Sequence, residues 1–236
     1  METNDSQSIQ TARCWQLLGE LNLVDSIFNH ISILTGSEEQ GFVMSMNPEG
    51  LLPFEIKPEM IRFFPLKDVV LRPQFAGVNQ DGLFLHSTIH QWRRRPGAVI
   101  HLHSPYSVAI SNTLHGLLPL SQTSIEFMEE VRLVEYGGLL RSDNFENSLK
   151  ELCQTSGVLL LRNHGLVSIA DSIEESFYLA YYMEEACKIQ YLTLSQQVPV
   201  VYPDGLIISQ AVKSMKAERP DVAQKMFDAF CRKFKI

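Results

Sequence analysis

The chain of 236 residues is long enough for one large domain or two small ones, and 45% apolar with 20% charged residues marks a globular protein. Against 27 Asp and Glu stand 20 Lys and Arg, a net charge of −7 that excludes a broadly basic surface for nucleic acid or acidic lipid. Cysteines at 14, 153, 187 and 231 form no Cys-x-x-Cys pair, so neither a disulfide framework nor a thiolate zinc site is expected, and a reducing cytoplasm suits them.

METNDSQSIQ is polar and does not read as a signal peptide, and no apolar run approaches the roughly 18 residues that span a bilayer. With no repeat and no long linker, residues 1–236 read as a single domain. Apolar spacing of three and four predicts a helix from about 7 to 24. Ile31–Thr35 and Gly41–Met46 read as hairpin strands, followed by an Asn47-Pro48-Glu49-Gly50 turn. Leu85–Trp92 reads as a short helix, Ala98–His103 as a strand and Tyr106–Thr113 as a helix. Val158–Leu161 and Leu166–Ile169 are buried strands by composition.

Asp171 is expected to cap a long helix to about Leu192, with Glu174 reaching back in a capping box. Two helices, roughly 205–217 and 220–235, should close the chain, Pro220 suiting a first helical position. Helices flanking short central strands imply a layered α/β domain.

The chemistry concentrates in histidines. In His101-Leu102-His103 a strand would put both imidazoles on one face, about 6.6 Å apart, with Leu102 facing the core. Two such rings can close on one metal ion. Further on, the apolar Leu160-Leu161 runs into Arg162-Asn163-His164-Gly165, which places a histidine at a strand end, with Gly165 free to turn the backbone.

Together, His-Leu-His-Ser-Pro and the later Leu-Arg-Asn-His-Gly-Leu resemble the class II aldolase/adducin family. Asn29-His30-Ile31-Ser32, the Asn47–Gly50 turn, the segment Phe84–His90 and Glu184, Cys187 and Gln190 match it too, and the resemblance covers about 8–192. It implies a three-layer α/β/α sandwich with a central, largely antiparallel sheet. It implies metal ligands at His101, His103 and His164, with zinc the usual ion and iron or manganese alternatives. It also implies a homotetramer with sites at subunit interfaces, which helices in 200–236 would cover or complete.

Two departures stand out against the sugar-phosphate aldolases of the family. Their acid/base glutamate falls four residues before His86, on Gly82, with Asp81 beside it. Their phosphate cradle is replaced, since Glu49 would repel a phosphate and no Ser-Ser pair precedes Gly82. The sequence therefore resembles the adducin-like branch. The expected activity is a metal-dependent, aldolase-like lyase on a small hydroxy- or keto-acid or carbonyl compound, working through a metal-stabilised enolate.

Glu126 is a candidate catalytic carboxylate; Asn29, His30, His86 and Arg162 are candidate substrate contacts. A small-molecule substrate, no nucleic acid, no membrane and a cytoplasmic location complete the reading. An iron oxygenase or decarboxylase on the same histidines, a retained sugar-phosphate aldolase and a non-catalytic adducin-like interaction domain remain open alternatives.

Overall fold

The computed structural model describes residues 2–36, 43–66, 77–135, 143–155 and 157–236. Among the described residues, seven strands form one sheet: β1 (His30–Thr35), β2 (Val43–Met46), β3 (Arg62–Pro65), β4 (Gly97–Leu102), β5 (Val131–Val134), β6 (Val158–Leu161) and β7 (Gly165–Ala170). Their order is β3-β2-β1-β4-β7-β6-β5. All neighbours are antiparallel except β5 and β6. The expected largely antiparallel sheet is therefore present. Gly41 and Phe42, the first residues of the expected second strand, lie outside the described residues.

Strand alternation divides the core into two faces. Ile31, Ile33, Ile100, Leu102, Leu160 and Leu166 meet α1 (Glu2–Glu20), α3 (Pro105–Ser111), α6 (Ile173–Ser195) and α7 (Gly205–Phe234). On the other face Val99, Leu159, Val167 and Ile169 meet α2 (Gln80–Arg93) and α5 (Asp143–Leu152) through Leu85, Ile89, Phe145 and Leu149. A short helix, α4 (Gln122–Ile125), precedes β5. Helices on both faces of one sheet make the three-layer α/β/α sandwich.

Helix α6 also holds the segment that follows β4. Glu184 accepts from the backbone N–H groups of Tyr106 and Ser107 at 2.9 and 2.8 Å and so satisfies free amides at the start of α3. Gln190 accepts from Leu118 N–H and donates to the Gly116 carbonyl. Glu184 and Gln190 thus form a clamp built on one helix.

Two sequence expectations are corrected at helix ends. Ser172, not Asp171, caps α6 by accepting from Glu175 N–H at 3.1 Å. Asp171 is instead drawn into ion pairs with Arg93 and Arg95, and Glu174 accepts from Gln10 of α1. The two expected C-terminal helices are one 30-residue helix with Pro220 inside it. Proline costs an internal hydrogen bond, but Val212 and Arg219 before it and Ala223 and Phe227 after it are all buried, so both halves are held against the protein.

Arg219 is the polar anchor of that docking. It is 2% exposed and donates to Glu126 at 2.8 Å and to Glu130. Removing the cation leaves buried Glu126 only the Tyr178 hydroxyl and buried Glu130 only Lys216. Arg219→Met is expected to cost about 3–5 kcal/mol in urea unfolding; a loss below about 1 kcal/mol would show that the network relaxes without it.

Candidate metal centre

Strand β4 is the middle of the site. His101 lies on the α2 face of β4, opposite His30 of β1 in the strand register, while Leu102 on the other face pairs with Leu166. The ring is fully buried and its Nδ1 donates to the Leu166 carbonyl at 2.9 Å. That bond leaves Nε2 with the lone pair.

His103 follows the end of β4. Its Nδ1 donates to both oxygens of Asp25 at 3.0 Å, which in the neutral ring puts the lone pair on Nε2. Those two Nε2 atoms face each other at 3.0 Å. His164 completes the group from the turn between β6 and β7, and the ligand nitrogens of the three rings lie within 4.8 Å of one another.

The loops that carry these rings are held by side chains. Asn29 is fully buried, donates to Asp25 at 2.7 Å and accepts the His103 N–H at 3.1 Å. Ser104 Oγ donates to the Leu23 carbonyl, which ties the Asp25 loop to the chain after His103.

On the other side Arg162 donates to Glu135 and to the carbonyls of Ser111, Thr113 and Leu114. Asn163 takes φ 56° and donates its N–H to the Asn112 side chain at 2.7 Å. The left-handed residue of this turn is thus Asn163 rather than Gly165. Gly165 is needed for closeness instead, since a Cβ there would stand 2.2 Å from the Leu102 carbonyl oxygen.

Burial is the main force that keeps His101 and His164 neutral. It pushes His101 well below the ordinary histidine value, helped by His103 and His164. It lowers His164 to about 4, helped by His103 and opposed by Asp25 and Asp81. Neutral imidazole is the metal-binding form. Two bare lone pairs at 3.0 Å repel unless a cation sits between them, and a carboxylate behind His103 raises its basicity as a ligand. The donor set therefore fits a divalent cation.

The other residues singled out from sequence fall in three places. His30 and His86 adjoin the centre: His30 stacks on His101 with ring centroids 5.5 Å apart, and His86 meets His30 edge-on at 5.7 Å. Asn29 lies within the frame just described. Arg162 is spent on Glu135 and three carbonyls, so the expected anion contact is a staple of the His164 turn.

Glu126 is not brought to the histidines. Its oxygens accept from Arg219 and from the Tyr178 hydroxyl, in a network with Glu130, whose carboxylate abuts Gly157 before β6. His164 lies beyond the other end of that strand, whose four residues alone span about 13 Å. Glu126 is thus buried and paired within this network. Asp25 is the site residue that the sequence reading passed over; a loop carboxylate four residues before Asn29 carries no periodic signal.

Residues 9–191 match the model of the class II aldolase and adducin N-terminal domain. The chain belongs to that family. It is 38% identical to alpha-adducin of Rattus norvegicus over 186 residues, which is 77% of this chain and 24% of the adducin. The chain thus spans about a quarter of the length of that relative.

Among solved structures, an aldolase II superfamily protein from Pseudomonas syringae has 26% identity and a TM-score of 0.87, covering 98% of this chain and 92% of its own. An L-fuculose 1-phosphate aldolase from Glaciozyma antarctica shares the fold at 18% identity and a TM-score of 0.81, covering 98% of this chain and 90% of its own. Class II aldolases are generally divalent-metal dependent, and this chain carries a three-histidine group. Among the described residues no helix is long and apolar enough to cross a membrane.

Behind the centre, Ser32 Oγ bridges His86 Nδ1 at 2.6 Å and His90 Nε2 at 2.7 Å. Burial lowers His90 to about 3, with Arg93 helping, and holds His86 well below its ordinary value. The unfolded chain then binds protons that the folded one refuses once the pH falls below about 6.5. With chelator present, urea stability is expected to fall from about pH 6.5 toward pH 3, by up to about 1.4 kcal/mol per unit for each ring. A flat profile between about pH 7 and pH 5 would contradict neutral burial of this pair.

Proposed function

We propose that this chain is a divalent-metal-dependent, aldolase-like lyase acting on a small hydroxy- or keto-acid or carbonyl compound. The observation that carries the reading is the meeting of three imidazoles, His101, His103 and His164, with ligand nitrogens within 4.8 Å and two of the rings anchored through their other nitrogen. Three nitrogen ligands leave a coordination position for substrate, as in catalytic rather than structural sites. Zinc is the ion proposed, with iron and manganese as alternatives. When bound, the cation supplies Lewis-acid chemistry, polarising a carbonyl and stabilising the negative charge left by carbon–carbon cleavage.

The protein's own part is orientation. Leu166 O and Asp25 set which nitrogen of His101 and His103 faces the ion, and Asn29 fixes Asp25 against the His103 backbone. Exposed Glu49 in the turn after β2 disfavours a phosphate there, which supports a substrate without one. With Arg162 fully engaged, a neutral hydroxy-carbonyl compound is favoured over a carboxylate. A cytoplasmic homotetramer, each chain a single domain over 1–236, completes the proposal.

The 38% identity to alpha-adducin favours a second reading, a domain that binds protein partners without turnover. Elemental analysis of protein purified without chelator separates the two. About one metal per chain in the parent, and none in a His101→Ala/His103→Ala variant, is expected. A metal-free parent, even after zinc or iron is added back, would overturn the lyase reading and favour the binding domain.

Asp25→Asn is expected to keep the site but weaken metal affinity about 10–100-fold in a competition titration. Unchanged affinity would remove Asp25 from the centre.

A further inference from the structure

We propose that His30 occupies the space a side chain at position 82 would need, and that its imidazole is the hydrogen-bonding contact to the oxygen ligand held at the three-histidine centre. This rests on the metal-centre reading and names the group that meets the ligand. A Cβ built on Gly82 would lie 2.8 Å from three atoms of the His30 ring, Cγ, Cδ2 and Cε1. The flat of the ring therefore lies against the glycine, and no carboxylate can grow from that position while His30 stands there.

The strand register makes the placement firm. His30 faces His101 across the β1–β4 ladder, and neighbours in register on adjacent strands share a sheet face. The rings stack at 5.5 Å with an interplanar angle of 23°. His30 is 5% exposed, yet among the described residues neither Nδ1 nor Nε2 has a protein partner.

A neutral imidazole offers one donor and one acceptor, and burying both unused is an expensive state that folded proteins avoid. The rings behind it do not relieve this. Ser32 engages His86 Nδ1 and His90 Nε2, and His86 meets His30 only ring-edge to ring-face. What His30 lacks in the protein, a hydroxyl or carbonyl oxygen at the adjoining centre would provide.

The test uses zinc-loaded protein and acetohydroxamate, a bidentate oxygen chelator, as the probe. His30→Ala is expected to keep about one zinc per chain and to bind the hydroxamate about tenfold more weakly by calorimetry, the scale of one hydrogen bond. His30→Gln, which keeps a donor and an acceptor, should recover most of that loss. Gly82→Ala should weaken hydroxamate binding and lower the thermal midpoint in the parent, and do neither in the His30→Ala background, because the clash is then gone.

Hydroxamate affinity within about twofold of the parent in His30→Ala would overturn the proposal, as would additive effects of the two substitutions. Loss of zinc from His30→Ala and His30→Gln alike would overturn it by making the ring part of the metal site. A parent that takes up no zinc would overturn the metal-centre reading and this inference together; zinc uptake with unchanged hydroxamate binding overturns this inference alone.

Discussion

Everything at the centre depends on how closely β4 and β7 approach where Leu102 faces Leu166. Gly165 lies against the Leu102 carbonyl, at a distance that excludes any side chain. That contact sets the end of β7 beside the end of β4. It brings the Leu166 carbonyl within reach of His101 and swings the 162–164 turn toward His103. A pair of strands held further apart would leave His164 and the His101–His103 pair as separate features of two loops.

Around that contact the protein spends polar side chains on position. Asp25 and Asn29 come from the loop before β1, Asn112 and the carbonyls it neighbours from the end of α3, and Glu184 and Gln190 from α6. Each satisfies a backbone or ring donor of the segments that carry the histidines or pack beside them. The result is three rings fixed by hydrogen bond or turn geometry before any ligand arrives, which is the preorganisation that a metal centre needs. The same economy holds at the far end of β6, where Arg219 neutralises Glu126 and Glu130 and fastens the last helix to the sheet.

Local patterns made much of this legible in the sequence. Alternation in β4 put Leu102 in the core and His101 on the opposite face, the apolar runs of β6 and β7 declared themselves, and the family resemblance pointed to the histidines that the fold brings together. What escaped were pairings made only by tertiary structure. The partner of Glu126 lies 93 residues away, and the carbonyls that absorb Arg162 lie some fifty residues before it. Asp171 looked like a cap until Arg93, at the end of another helix, claimed it. Pro220 looked like a helix start because propensity cannot see a core that docks residues on both sides of it. Asp25 gave no signal, since a loop carboxylate acquires meaning only when His103 is folded against it.

The central claim is that three histidine nitrogens form one divalent-cation site. A crystal of the protein soaked in zinc, with diffraction recorded on both sides of the zinc absorption edge, tests it most directly. The account predicts one strong anomalous peak per chain, about 2.0–2.1 Å from a ring nitrogen of each of His101, His103 and His164. No peak there, with the His101 and His103 nitrogens still in contact, would contradict it.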